Sequence, residues 1–187
     1  MKTANRCPWP SNDPLMIKYH DEEWGKPLHD DNKLFEFLIL ESFQAGLSWR
    51  TVLHKRENFR MAFARFDAKK VSKFDKKKVA SLLKDAGIIR NRLKVAAAIN
   101  NAKCFLLLQK EFGSFDNYVW GFVNHTSIIN KPKTLKDLPA KTSISDKMSE
   151  DMGKRGFKFR GSTICYAFMQ AVGMVDDHLV GCECKNK

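Results

Sequence analysis

An all-helical protein is what this sequence predicts, on three observations. Apolar residues recur at helical spacing through most of the chain, capping residues stand where those runs begin, and alternating strand patterns are absent. Taking the elements in order, Asn32 is placed to cap "KLFEFLILESFQAG", and Ser48 to cap "WRTVLHKRENFRMAFARF". Asp75 is placed to cap "KKKVASLLKDA", which Gly87 stops. "NRLKVAAAINNAKCFLLLQKEFG" and "SFDNYVWGFVNH" follow, then a Pro-bearing, Thr-rich connection around "KPKTLKDLPAKTS". "ISDKMSEDMGKR" and "STICYAFMQAVG" supply two last helices. No repeat or low-complexity segment interrupts them, and 187 residues at 43% hydrophobic predict one unit over 1–187, built as two closely packed helical lobes.

Composition restricts the function classes. No run of about 18 apolar residues exists and the first residues lack an apolar signal segment, so the expectation is a cytoplasmic protein without a membrane partner. Lys and Arg outnumber Asp and Glu by 33 to 21, a net charge of +12 that points to an anionic partner, nucleic acid first, with a merely solvated basic surface as the alternative. Five cysteines in a reducing compartment favour metal ligation or plain burial over a disulfide framework.

Two patterns carry chemistry. The chain closes on "DDHLVGCECKNK", in which His178 and Cys182 stand at an H-x3-C spacing. Cys7 and His20 in the amino-terminal stretch complete a closed Cys2His2 set if the termini meet, one structural zinc with no open position for catalysis. His20 as an active-site histidine, Cys182 as a buried thiol and Cys184 as a rival ligand stay open. Glu41 is the second pattern. At about 100° per residue it shares a narrow face with Leu34, Leu38 and Ala45, so a carboxylate points with the core. Such a group is paired, hydrogen-bonded, protonated, or facing a cavity built for a ligand.

After Glu41, "AGLSW" breaks the helix at Gly46, exposes Leu47 and restarts at Ser48 with Trp49. Trp9, Tyr19, Trp24 and Trp49 offer stacking surfaces near an anion, which suits a planar cationic ligand, although aromatics at such positions also serve as core. In "KRGFKFRGSTICYAF", a glycine-punctuated turn leads into a helix that starts at Ser162 or Thr163 with Lys158 nearby, an arrangement that offers donors to a phosphate.

Together "YHDEEWG", "LFEFLILESFQAGLSW", "AGIIRNRLKVAAAINNA", "VWGFVNH" and "RGFKFRGSTICYAFMQAVGMVDDHLVGC" resemble the DNA-3-methyladenine glycosylase I family over nearly the whole chain. The resemblance implies a helix-hairpin-helix glycosylase fold with a structural zinc tying the termini and no organic cofactor. It also implies a monomer acting on double-stranded alkylated DNA and releasing 3-methyladenine. It puts the zinc on Cys7, His20, His178 and Cys182, and base recognition on Glu41, with Tyr19 and Trp49 as stacking aromatics; Trp9 and Trp24 join them as base-binding candidates from the residue reading alone. The duplex wedge falls on Gly46 and Leu47, and the phosphate-binding hairpin on Gly156 to Gly161, with Phe157, Lys158 and Thr163 among its DNA contacts. Met16 and Phe43 depart from residues seen in some relatives, which makes the pocket rim a point to inspect. Asp176 stands near the place of the wider superfamily's catalytic aspartate and is not given that role, because this family lacks it. A non-catalytic zinc-organised DNA-binding module leaves Glu41 without a purpose, and a zinc deaminase lacks its H-x-E and P-C-x-x-C patterns.

Overall fold

The computed structural model describes residues 5–186 and is mostly helical. Helix α1 (Pro14–Glu22) starts at Asp13, whose carboxylate accepts from the amides of Leu15 and Met16, with Pro14 at the first helical position. Helix α2 (Asp31–Gln44) begins earlier than expected. Its cap is Asp30, accepting from the Lys33 amide, whereas Asn32 lies inside the first turn and donates to the Arg65 carbonyl. Asp31 is occupied too, since its carboxylate accepts from the amides of Phe115 and Asp116 at the start of a later helix. Every residue of α2 from Leu34 to Phe43 is buried, the mark of a central helix enclosed by others.

The single helix expected from Trp49 to Phe66 is broken into α3 (Trp49–Leu53), α4 (Arg56–Ala62) and a 3-10 turn, Ala64–Phe66. Ala64, Arg65 and Phe66 all have positive φ, which costs on the order of 1 kcal/mol or more per residue. The bend is offset by burial, because Phe43, Phe59, Phe63 and Phe66 are all fully enclosed and Phe43 lies 4.8 Å from the Phe59 ring. It also turns the chain so that α5 (Ala68–Val71) reaches a long later helix, α7 (Arg92–Phe112). Helix α6 (Lys76–Lys84) carries its expected Asp75 cap and ends at Asp85, whose carboxylate takes the Gly87 amide. Helix α7 (Arg92–Phe112) is capped by Asn91 and stopped by Gly113 at φ +83°, and α8 (Phe115–Trp120) follows at once.

Helix α9 (Ser143–Lys154) opens with a capping box between Thr142 and Ser145, and α10 (Ser162–Ala171) packs against it. One departure from the all-helical expectation is a parallel ladder of two residues per strand, β1 (Ile128–Ile129) and β2 (Val175–Asp176), with Ile128 opposite Val175. Strands that short leave no alternation to detect. The buried apolar residues form one hydrophobic cluster running through all these helices, and no helix of the described residues is long and apolar enough to cross a membrane.

Candidate functional site

Four elements converge beside the C-terminal half of α2. Glu41 projects from that helix, Trp49 from the start of α3, Tyr19 from the last turn of α1, and Trp9 and Trp24 from the flanking segments. Leu135 and Leu138 of the Thr-rich connection, with Ala167 and Gln170 of α10, close a cavity of about 350 Å³. Tyr19 and Trp49 lie 5.0 Å apart at 46°, and Trp9 meets Tyr19 edge-on at 6.2 Å.

The polar atoms here set the site apart from ordinary core. Glu41 Oε2, Trp9 Nε1 and Trp49 Nε1 are buried with no hydrogen-bond partner in the protein, and all three residues line this one cavity. Left so, each costs about 1–3 kcal/mol. Burial alone pushes the Glu41 carboxyl up to about 8, with no cation offsetting it. Burial, followed by the nearby Glu41, also raises Tyr19 well above the usual tyrosine range. Two indole donors and one unpaired carboxylate between aromatic walls suit a planar ligand that offers acceptors, a donor and positive charge.

The helix bearing Glu41 ends in the expected turn. Gly46 sits at φ +75°, in the left-handed region, and Leu47 is 42% exposed. A smaller cavity of about 180 Å³ runs from Glu41 and Gln44 past Gly46 and Leu47 to Thr163 and Ile164 at the start of α10. Between α9 and α10 lies the glycine-punctuated hairpin. Lys158 and Thr163 are exposed there, and the N-cap position of α10 is Gly161, which supplies no side-chain hydrogen bond to the first amides of that helix. Phe157 departs from expectation. It is 2% exposed and part of the hydrophobic cluster, so its ring anchors the hairpin from beneath and does not offer itself to a DNA surface. Phe43 is likewise enclosed, against Phe59 and Phe63, and leaves the pocket rim unaffected.

A second cluster lies behind Trp24. Asn5 donates to the Gly181 carbonyl at 2.7 Å and accepts the Glu183 amide at 2.9 Å, so the two end segments meet. Near this contact the sequence-predicted ligands fall into two three-donor groups that share His20, and among the described residues no single group unites all four. Donor atoms of Cys7, His20 and Cys182 lie within 4.8 Å of one another, and so do those of His20, His178 and Cys184, so the rival thiol is present as well. Each imidazole has its Nδ1 taken by a carboxylate: His20 by Asp21 at 2.7 Å, His178 by Asp176 at 2.8 Å. His178 Nε2 is buried without a partner. Burial pushes the Cys7 thiol up to about 11, so a thiolate there requires a cation. Thiols, two oriented imidazoles and an orphaned ring nitrogen make a donor set that fits a tetrahedral soft-to-borderline metal. Asp176 also accepts the amides of His178 and Asn186, which commits it to this cluster and not to the cavity.

Several lining residues escaped the sequence reading. Gln44 follows Glu41 by three on the same helix and was accessible to the same face argument. Leu135, Leu138 and Gln170 carry no such signal, because only the tertiary fold brings their segments to the cavity.

A buried aromatic cavity with an unpaired acid and two unpartnered indole N–H groups, beside an exposed apolar turn, defines a class of protein built to receive a planar ligand. Comparison with known proteins is specific. Residues 9–186 match the methyladenine glycosylase family. The chain is 52% identical to DNA-3-methyladenine glycosylase 1 of Escherichia coli, covering 96% of both chains, and 48% identical to the DNA-3-methyladenine glycosylase of Haemophilus influenzae, covering 97% of this chain and 98% of that one. It also superposes, with a TM-score of 0.95 at 34% identity over 98% of each chain, on a solved single-residue variant of 3-methyladenine DNA glycosylase I in complex with 3-methyladenine. The chain belongs to the methyladenine glycosylase family.

Proposed function

We propose that this chain hydrolyses the N-glycosidic bond of 3-methyladenine in double-stranded DNA, with Glu41 recognising the cationic base, and leaves an abasic site. The observation that carries this reading is the unpaired Glu41 carboxylate beside two unpartnered indole N–H groups in one cavity. A base methylated at N3 is positively charged, and its glycosidic bond is already polarised for departure. Leaving, the base takes the bonding electron pair and becomes neutral. Water adds to the sugar carbon and its proton passes to solvent, so no general acid is required. The protein's tasks are access, placement and discrimination.

Access costs a few kcal/mol of unstacking, less for a damaged base, and exposed Leu47 at the Gly46 turn is placed to fill the vacated stack. Placement falls to the aromatic walls of the cavity, Tyr19, Trp49, Trp9 and Trp24; Tyr19 and Trp49 touch each other at 5.0 Å, so the base stacks against their joined surface and is not sandwiched between them. Discrimination is electrostatic: the cation favours the ionised form of Glu41, and the exocyclic amine can donate to it, whereas neutral adenine leaves the buried acid uncompensated. Helix α9, the hairpin and α10 read as a helix-hairpin-helix unit in which Lys158, Thr163 and the first amides after Gly161 contact phosphate. Gly156 contributes through its left-handed φ of +88°, while Phe157 supports the turn from inside.

The terminal cluster reads as a structural zinc site held by Cys7, His20, His178 and Cys182, with Asp21 and Asp176 orienting the imidazoles. When bound, zinc supplies folding energy and no chemistry at the sugar. The test of the function is incubation with methylated duplex DNA and identification of the released base. Free 3-methyladenine is expected, with the strand uncut until alkali is added.

A further inference from the structure

Helix α7 lines neither the base cavity nor the terminal cluster, yet it carries one of the most unusual side chains in the molecule. Lys94 is 7% exposed and has no carboxylate partner among the described residues. Its ammonium donates to the carbonyls of Phe43 at 2.8 Å and Ala45 at 2.6 Å. Those are C-terminal carbonyls of α2, which the end of a helix leaves without internal donors. The next residues are Gly46 and Leu47. Seven positions further along α7, close to two full turns and therefore on the same face, Asn101 is 1% exposed. Its side chain accepts the Lys158 amide at 2.8 Å and donates to the Lys158 carbonyl at 2.9 Å. One helix face thus holds the wedge turn at one point and the phosphate hairpin at another.

We infer that Lys94 is a positioning residue for base flipping, fixing the Gly46–Leu47 turn at a set distance from the hairpin that Asn101 holds. This inference rests on the reading of those two turns as the DNA interface. A wedge inserted into a stack must resist being pushed back, and Gly46, at φ +75° and without a Cβ, has a backbone free to adopt other conformations. Two ammonium bonds to the carbonyls just before the glycine stiffen that turn. Salt-slope and free-base measurements separate this role from general support of the fold, because they report the hairpin and the cavity independently.

The test is a double-mutant cycle between Lys94→Met and Leu47→Ala, read by single-turnover excision from methylated duplex, affinity for free 3-methyladenine, and the salt dependence of binding to undamaged duplex. Lys94→Met is expected to slow excision at least tenfold while free-base affinity stays within twofold and the salt slope is unchanged. In the Leu47→Ala background it is expected to cost less than twofold more. Multiplicative losses, or free-base affinity falling as far as excision, overturn the inference and leave Lys94 a structural residue. If Leu47→Ala alone excises at the parental rate, the wedge reading itself has failed, an outcome visibly different from failure of the Lys94 assignment. Should Lys94→Met not fold, Lys94→Arg, which keeps donors toward both carbonyls, enters the same cycle. Parental-like excision then supports the inference, and a tenfold loss with the carbonyl contacts intact contradicts it.

Discussion

Tyr19 and His20 are consecutive residues of α1 that serve opposite neighbourhoods. Tyr19 forms a wall of the aromatic cavity, and His20 turns away into the Cys/His cluster, with Trp24 lying between them against both His20 and His178. The cluster is finished in its outer layer. Both imidazoles are steered by carboxylates, and Asp21 is held well below the usual carboxylate range by the Arg6 guanidinium and by His20. The cavity is unfinished in the same sense, for its carboxylate has no steering donor and two of its three indoles, Trp9 and Trp49, have no acceptor. A region whose polar groups are pre-oriented serves to fasten, and a region whose polar groups lack partners serves to receive. In the proposed reading the cluster fastens α1 and Trp24, which form two walls of the cavity.

Breaking the fastening side is expected to give the largest effect. Cys182→Ser should lose the zinc and several kcal/mol of stability, which for a chain of this size lowers Tm by about 10 °C or more. Cys184→Ser should keep the metal, and metal analysis together with calorimetry on both variants checks this. Equal zinc loss from the two would move Cys184 into the ligand set, and an unchanged Tm in metal-free protein would remove the fastening role altogether.

The receiving side should announce itself through pH. The folded-state pKa of Glu41, raised to about 8, exceeds its unfolded value, so the folded protein binds the extra proton and stability falls as pH rises from about 4.5 toward 8. Glu41→Gln should abolish that slope and be no less stable than the parent at pH 8. A cationic ligand favours the ionised carboxylate, so excision should rise with pH and level off above about 8 in the parent and be flatter in the variant. Identical pH profiles for the two proteins would argue that Glu41 stays neutral throughout.

Lys158→Ala is expected to do least. One lost phosphate contact reduces the slope of log affinity against log salt by about one unit, with little change in free-base binding. An unaltered slope would place the DNA interface elsewhere on the basic surface.

The inward face of Glu41 and the His178–Cys182 pair were legible because each rests on a short-range regularity, a helical face in one case and an H-x3-C spacing in the other; Cys7 and His20 carry no such regularity, and only the meeting of the two end segments brings them near. Asp30 shows where local signals stop. Asp30, Asp31 and Asn32 are all capable caps, and the choice is made by α8, whose first amides claim Asp31, and by the Arg65 carbonyl, which claims Asn32. The break after Leu53 and the left-handed run at Ala64–Phe66 were invisible for a related reason, since Phe59, Phe63 and Phe66 keep helical spacing through a stretch that is not one helix. Phe157 misled because an aromatic between glycines in a basic turn looks the same whether it faces DNA or core. Lys94 carried no signal at all in a chain of 33 lysines and arginines; only the burial of its helix face distinguishes it.

The central claim is that the unpaired carboxylate of Glu41 recognises the cationic base. Single-turnover excision of 3-methyladenine from methylated duplex by the parent and by Glu41→Gln, on preparations matched for zinc content and Tm, measures it directly. A charge-assisted hydrogen bond contributes about 1.5–3 kcal/mol, so the variant is predicted to excise roughly tenfold to hundredfold more slowly while binding undamaged duplex as before. A folded, zinc-replete variant that releases the base at the parental rate would contradict the account and leave Glu41 a buried acid without a ligand.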